Sequence, residues 1–142
     1  MGGDALRLLL DTHVLLWWLD APGGPTARLT AAQDRALELS REINEEIGVA
    51  AITLWEIAKA VELRRVQFDH ELAVVLRVIE QHPLIRIIRL DGLVALDTAK
   101  LGAGMRGSDP ADQMIVATAR VHGLRLVTAD DRIRKSGLVP VV

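Results

Sequence analysis

Four carboxylates in this 142-residue sequence stand where a fold could gather them: Asp11, Glu56, Asp112 and Asp130. Asp11 closes the apolar run Leu8-Leu9-Leu10, and Asp130 follows Leu126-Val127-Thr128-Ala129. An aliphatic run closed by an acid reads as a buried parallel strand with the acid at its tip. In open α/β sheets, ligands bind at those tips. Glu56 and Asp112 lie in segments that can reach the same edge. Carboxylates brought together repel one another and raise their own proton affinities. A hard divalent cation such as Mg2+ or Mn2+ removes that penalty, because it takes carboxylate and water oxygens as ligands. The pattern therefore points to a cation site at one rim of a sheet.

Each acid also has a structural reading. Asp11 could cap the helix after its strand. Glu56 stands three residues after Thr53, the spacing of a capping box, and Lys59 is placed to pair with it. Asp109 and Asp112 share one face at a helix start, where acids complement the helix dipole. One of Asp130 and Asp131 should cap the turn that follows. Two hydroxyls accompany the acids, Thr12 beside Asp11 and Thr128 before Asp130; Thr128 could bond a carboxylate or a bound water. His13 adjoins the site, where surface packing is the simpler role. The four histidines, His13, His70, His82 and His122, show no short metal-binding spacing.

Composition narrows the alternatives. Half the residues are hydrophobic but only 3% are aromatic, so the core is aliphatic and base stacking is a poor route to binding single strands. The formal net charge is −2, so no general basic field attracts nucleic acid. A polyanion would need bound metal and local arginines, among which Arg106 is the candidate because it precedes the Asp109–Asp112 segment. No cysteine is present, which excludes thiolate zinc sites and cysteine nucleophiles. No Gly-Lys-Ser/Thr phosphate loop occurs. The N-terminus lacks a signal-peptide pattern, and Asp11 and His13 interrupt its apolar run. The expectation is a cytoplasmic protein without a membrane segment.

Strand and helix patterns alternate along the chain. Strands are expected at 6–10, 49–52, 84–90 and 124–128, with an edge strand at 138–142. Helices are expected at 12–19, from a cap at Thr26 to about Ile47, from a cap at Thr53 to Leu63, and at 71–81, 93–101 and 110–122, with a helical turn at 131–135. Gly48 is read as a helix stop and Ala21-Pro22-Gly23-Gly24-Pro25 as a loop. Such alternation gives a three-layer α/β/α fold around a mostly parallel sheet of four to five strands, with residues 1–142 as a single domain.

The residues that carry the acids also match a known family. Leu9-Leu10-Asp11-Thr12-His13-Val14-Leu15-Leu16-Trp17 resembles the opening motif of PIN-domain proteins, in particular VapC-type toxin ribonucleases. Ile52-Thr53-Leu54-Trp55-Glu56-Ile57-Ala58, Asp109-Pro110-Ala111-Asp112-Gln113-Met114-Ile115-Val116-Ala117-Thr118-Ala119 and Leu126-Val127-Thr128-Ala129-Asp130 look like the second, third and fourth motifs, in family order. The resemblance implies a Mg2+- or Mn2+-dependent endoribonuclease with a quartet of Asp11, Glu56, Asp112 and Asp130. Asp109, Thr12 and Thr128 are then accessory. It also implies a homodimer and an antitoxin partner, whose peptide would lie in a groove between the helices after the first two strands; a tryptophan of the Trp17-Trp18 pair could line that groove. Two positions depart from the pattern: Gln113 stands where a basic residue is common, and Leu63 where glycine often precedes the basic pair. A DNA-directed or RNA-processing nuclease uses the same acids. A receiver-like signalling module also gathers acids around Mg2+, but it requires a lysine at a late strand tip, where this chain has Thr128.

Overall fold

The computed structural model describes residues 6–20 and 28–142. The expected loop at 21–25 and the expected cap at Thr26 lie outside them. Four short strands form one sheet: β1 (Leu8–Leu10), β2 (Ile47–Ala50), β3 (Ile85–Ile88) and β4 (Arg125–Val127). Their order is β3-β2-β1-β4 and every pairing is parallel. Seven helices are described: α1 (Thr12–Asp20), α2 (Ala31–Glu42), α3 (Ala51–Glu62), α4 (Leu72–Gln81), α5 (Gly92–Leu101), α6 (Pro110–His122) and α7 (Asp131–Ser136). None of the described helices is long and apolar enough to cross a membrane.

The sheet is buried on both faces because its side chains alternate. Leu8, Leu10, Ile47, Val49, Ile85 and Val127 join one cluster with Val14 and Leu15 of α1, Leu37 of α2 and Ile79 of α4. Leu9, Ala50, Ile88 and Leu126 join the other with Val94 of α5, Ile115, Val116 and Ala119 of α6, and Ile133 of α7. The result is the three-layer arrangement that the alternation of elements predicts.

The boundaries differ most around β2. The strand occupies 47–50 rather than 49–52, and Gly48 lies inside it instead of ending a helix. Its lack of a side chain has a packing reason: a Cβ there would stand 3.0 Å from Ile88 Cδ1 and 3.2 Å from the Leu8 carbonyl oxygen. Helix α2 ends earlier than its pattern suggests, at Glu42 with Ile43 as its cap, and Asn44 turns the chain with φ 54°. Its N-cap is Thr30, whose hydroxyl accepts from the Gln33 N–H while the Gln33 side chain accepts from the Thr30 N–H, a capping box. The C-terminal segment contributes a single parallel bridge, Leu126 to Val141, in place of an edge strand. At α6 the expectations are met: Asp109 caps the helix with Pro110 at its first position, and Gly123 ends it with φ 65°.

Candidate active site

The relative register of β1 and β4 sets the centre of the site. Leu10 pairs with Val127, and the Asp11 N–H extends the ladder by donating to the Val127 carbonyl at 3.1 Å. Asp11 and Thr128 therefore leave the sheet side by side. The Thr128 hydroxyl donates to Asp11 Oδ2, and Asp11 Oδ1 accepts the Val14 N–H at 2.8 Å. Asp11 thus caps the first turn of α1 and presents its carboxylate at the strand tip. Thr128 also accepts the Asp130 N–H at 3.0 Å. Asp130 in turn caps α7, using Oδ1 for the Arg132 and Ile133 N–H groups at 2.9 and 3.3 Å.

Glu56 arrives from the neighbouring strand. Helix α3 begins directly on β2, with Ala50 as a cap that offers no side chain. Thr53 is therefore inside the helix and buried, and the expected Thr53–Glu56 capping box does not form. Instead the Thr12 hydroxyl donates to Glu56 Oε1 at 2.5 Å and shares a 3.1 Å hydrogen bond with the Thr53 hydroxyl. Lys59 pairs with Glu62 at 3.3 Å and not with Glu56. Asp112 projects from the first turn of α6, held close to the sheet by the buried small residues Ala111, Ala117 and Ala119. Asp109 spends one oxygen on the Ala111 N–H at 3.0 Å.

Asp11, Glu56, Asp112 and Asp130 line one cavity of about 310 Å3 together with Thr12, His13, Trp17 and Ala129. Asp109 is not on its wall. Burial and mutual repulsion oppose ionisation here. The Asp112 carboxyl is pushed up to about 6, first by desolvation and then by the charges of Glu56, Asp130, Asp109 and Asp11. Burial also raises Asp11, against the hydrogen bonds from Thr128 and Val14, and raises Glu56, against the bond from Thr12. The donor set is all oxygen, as a hard cation requires. Among the described residues no three acidic, imidazole or thiol groups close around one point as a ready coordination shell. The carboxylates ring an open space instead, so a cation there would keep part of its water shell, as Mg2+ commonly does.

Two further cavities adjoin this one. A groove of about 620 Å3 shares Thr12, His13, Trp17 and Glu56 with it and runs between α1 and α3, past Leu16, Trp55, Leu63 and Phe68, with Asp109 on its wall. The adjacent tryptophans part here: Trp18 is 8% exposed in the core, while Trp17 lines the groove beneath Arg28, whose guanidinium lies 5.7 Å from its ring. A second cavity, of about 370 Å3, shares Asp112 and Asp130 and contains Arg106.

Gln33 is the site residue that motif reading passes over. It is buried, and its Nε2 donates to the Thr128 and Val142 carbonyls, each at 2.9 Å. The one signal in the sequence is its position three residues after Thr30.

This fold and this rim of carboxylates define a class. The PIN-domain family model matches residues 8–137, and the chain belongs to the PIN-domain family. Its sequence likeness is to a VapC-type member: it is 37% identical over 127 residues to Ribonuclease VapC22 of Mycobacterium tuberculosis, covering 89% of each chain. Among solved structures it resembles FitAcB from Neisseria gonorrhoeae, with a TM-score of 0.65 and 26% identity over 95% of this chain and 96% of that one. It shares the fold of DNA-bound VapBC from Salmonella typhimurium, with a TM-score of 0.66 and 18% identity over 97% and 98% of the two chains.

Proposed function

We propose that the chain is a Mg2+- or Mn2+-dependent endoribonuclease that acts as the toxin of a toxin–antitoxin pair. The observation that carries this reading is the meeting of Asp11, Glu56, Asp112 and Asp130, from remote stretches of sequence, on the wall of one cavity. The ribonuclease name of the similar VapC protein supports RNA as the substrate.

In this reading Asp11, Asp112 and Asp130 hold the cation through their oxygens, directly or by way of water. When bound, the cation supplies a more acidic water and offsets charge gathering on the phosphate. Thr128 fixes one oxygen of Asp11. Thr12 fixes one oxygen of Glu56 and leaves the other to accept a proton of the attacking water and aim it. Water adds to phosphorus as the bond to the 3′ oxygen breaks, and the leaving 3′ oxygen takes a proton from solvent water. The products carry 5′-phosphate and 3′-hydroxyl ends, with no 2′,3′-cyclic phosphate.

The groove between α1 and α3 supports the antitoxin. Leu16, Trp17, Trp55, Leu63 and Phe68 line it together with Arg28, Lys59 and Arg65, and it borders Glu56, so an amphipathic segment lying in it would reach the cavity mouth. Leu90, Leu93 and Leu96, all largely exposed on and before α5, support the homodimer that the family resemblance implies.

The test is cleavage of single-stranded RNA, folded RNA and DNA with Mg2+ or Mn2+, with end-group analysis of the products. Cation-dependent RNA cleavage that is lost in Asp11→Asn is expected. Activity on DNA alone, or cyclic phosphate ends, would overturn the reading.

A further inference from the structure

The cavity behind the acids has the opposite character. Its wall carries Arg106, Arg132 and Lys135, together with Ser108 and Ser136, and it meets the acidic cavity along Asp112 and Asp130. Arg106 and Lys135 are exposed and take no part in a salt bridge among the described residues. Arg132 is held in place, since its Nη1 donates to the Gly107 carbonyl at 3.2 Å. Gly107 itself turns the wall with φ 78°. Gln113, the residue after Asp112, is neutral and its amide is tied to Ser108 at 3.3 Å. Positive charge near Asp112 therefore comes from this cavity and not from the following residue of α6.

From this juxtaposition the geometry points to a phosphate subsite: Arg106, Arg132 and Lys135 seat the phosphodiester next to the one being cleaved. The inference rests on the nuclease reading for its register, but the binding itself does not. A polyanion with evenly spaced phosphates suits an acidic, cation-requiring cavity and a basic one with a shared wall. The first neutralises the reacting phosphate only when a cation is present. The second holds a neighbouring phosphate without one, because guanidinium and ammonium groups bind phosphate oxygens directly. It also offsets the repulsion that Asp112 and Asp130 exert on an approaching strand.

The test is fluorescence anisotropy of a labelled single-stranded RNA oligonucleotide on Asp11→Asn, a parent chosen because Asp11 lies outside this cavity. Arg106→Gln with Lys135→Gln is expected to weaken binding about tenfold, in line with the removal of charged hydrogen bonds. The slope of log affinity against log salt should fall by about 0.7 for each phosphate that is no longer neutralised. A single methylphosphonate, moved one linkage at a time, should weaken the parent beside the cleaved linkage and have a clearly smaller effect there on the double variant, in which only Arg132 of the three cations remains. Unchanged affinity and salt slope in the double variant would overturn the subsite, even if the wild-type chain cleaves RNA. A wild-type chain that cleaves no RNA, yet binds it through Arg106 and Lys135, would sink the nuclease reading and leave the subsite standing.

Discussion

Thr128 and Asp11, 117 residues apart in sequence, are joined by a hydrogen bond from hydroxyl to carboxylate across two neighbouring strand tips. The bond does two jobs. It fixes the rotamer of the most buried acid of the site, and it opposes the rise in proton affinity that burial imposes on Asp11.

Thr128→Val keeps the shape of the side chain and removes the donor. Asp11 then loses its side-chain hydrogen bond and its pKa rises further. Under the proposed function, cleavage is expected to fall on the order of 10–100-fold, the usual effect of removing a hydrogen-bond partner that orients a metal ligand. The pH profile should shift to higher pH. Thr128→Ser should restore most of the rate, and pH–rate profiles of the three proteins check this.

Asp112 gives a stability prediction with a definite sign. Its carboxyl sits at about 6 in the fold, against 3.8 as the ordinary value. The folded state thus binds a proton more tightly than the unfolded state, and ionisation works against folding. Stability from this group is full below about pH 4 and is lost as pH rises towards 6. Asp112→Asn is therefore expected to stabilise the protein by about 1 kcal/mol at pH 7, a value discounted for solvent screening of this half-buried group. At about pH 3 the gain should nearly vanish, since the carboxyl is then largely protonated in both states. Urea unfolding at the two pH values measures it, and a destabilised variant would show the acid to be structural.

Cation binding should follow the same titration. Calorimetry with MnCl2 in the absence of RNA is expected to show uptake at about pH 7.5 and clearly weaker uptake at about pH 5.5, because protons compete for Asp112. Asp11→Asn should abolish the heat. Equal uptake by wild type and Asp11→Asn would place the cation elsewhere.

Gln33 has every side-chain polar atom engaged: Oε1 with the Thr30 N–H, Nε2 with the Thr128 and Val142 carbonyls. Gln33→Leu fills similar space but orphans those groups. A loss of about 2–4 kcal/mol is expected from the cap and the two buried bonds together. Denaturant midpoints read the loss.

Trp55 is 55% exposed on the wall of the α1–α3 groove. Trp55→Ala should leave stability within about 0.5 kcal/mol, as for a surface change. Under the proposed function, it should weaken binding of the cognate antitoxin protein by about 2 kcal/mol, the scale of an interface hot spot. Titration calorimetry with that protein decides the matter.

Much of the fold and site is legible in the sequence where local rules act alone. Asp109-Pro110 and Gly123 bracket α6 because cap and stop chemistry needs only neighbouring residues. The apolar runs before Asp11 and Thr128 mark their strands for the same reason. Expectation and structure part where packing between remote segments outweighs local preference. Gly48 resembles a helix stop, yet the close approach of Ile88 and Leu8 makes it a strand residue. Thr53 and Glu56 have capping-box spacing, but Thr12, 41 and 44 residues away in sequence, claims both side chains. Gln33 gives little local sign of its role because its carbonyl partners lie 95 and 109 residues further on.

The strand order carries one last implication, for a chain still on the ribosome. Of the four described strands the first made, β1, sits between β2 and β4, and β4 is the last of them to be translated. Asp112 and Asp130 emerge late, so a nascent or prematurely terminated polypeptide that stops before α6 owns only half of the acidic set. Under the proposed activity, such a fragment is harmless to the messages around it, and the cell meets a competent nuclease only once the chain has been made through Asp130.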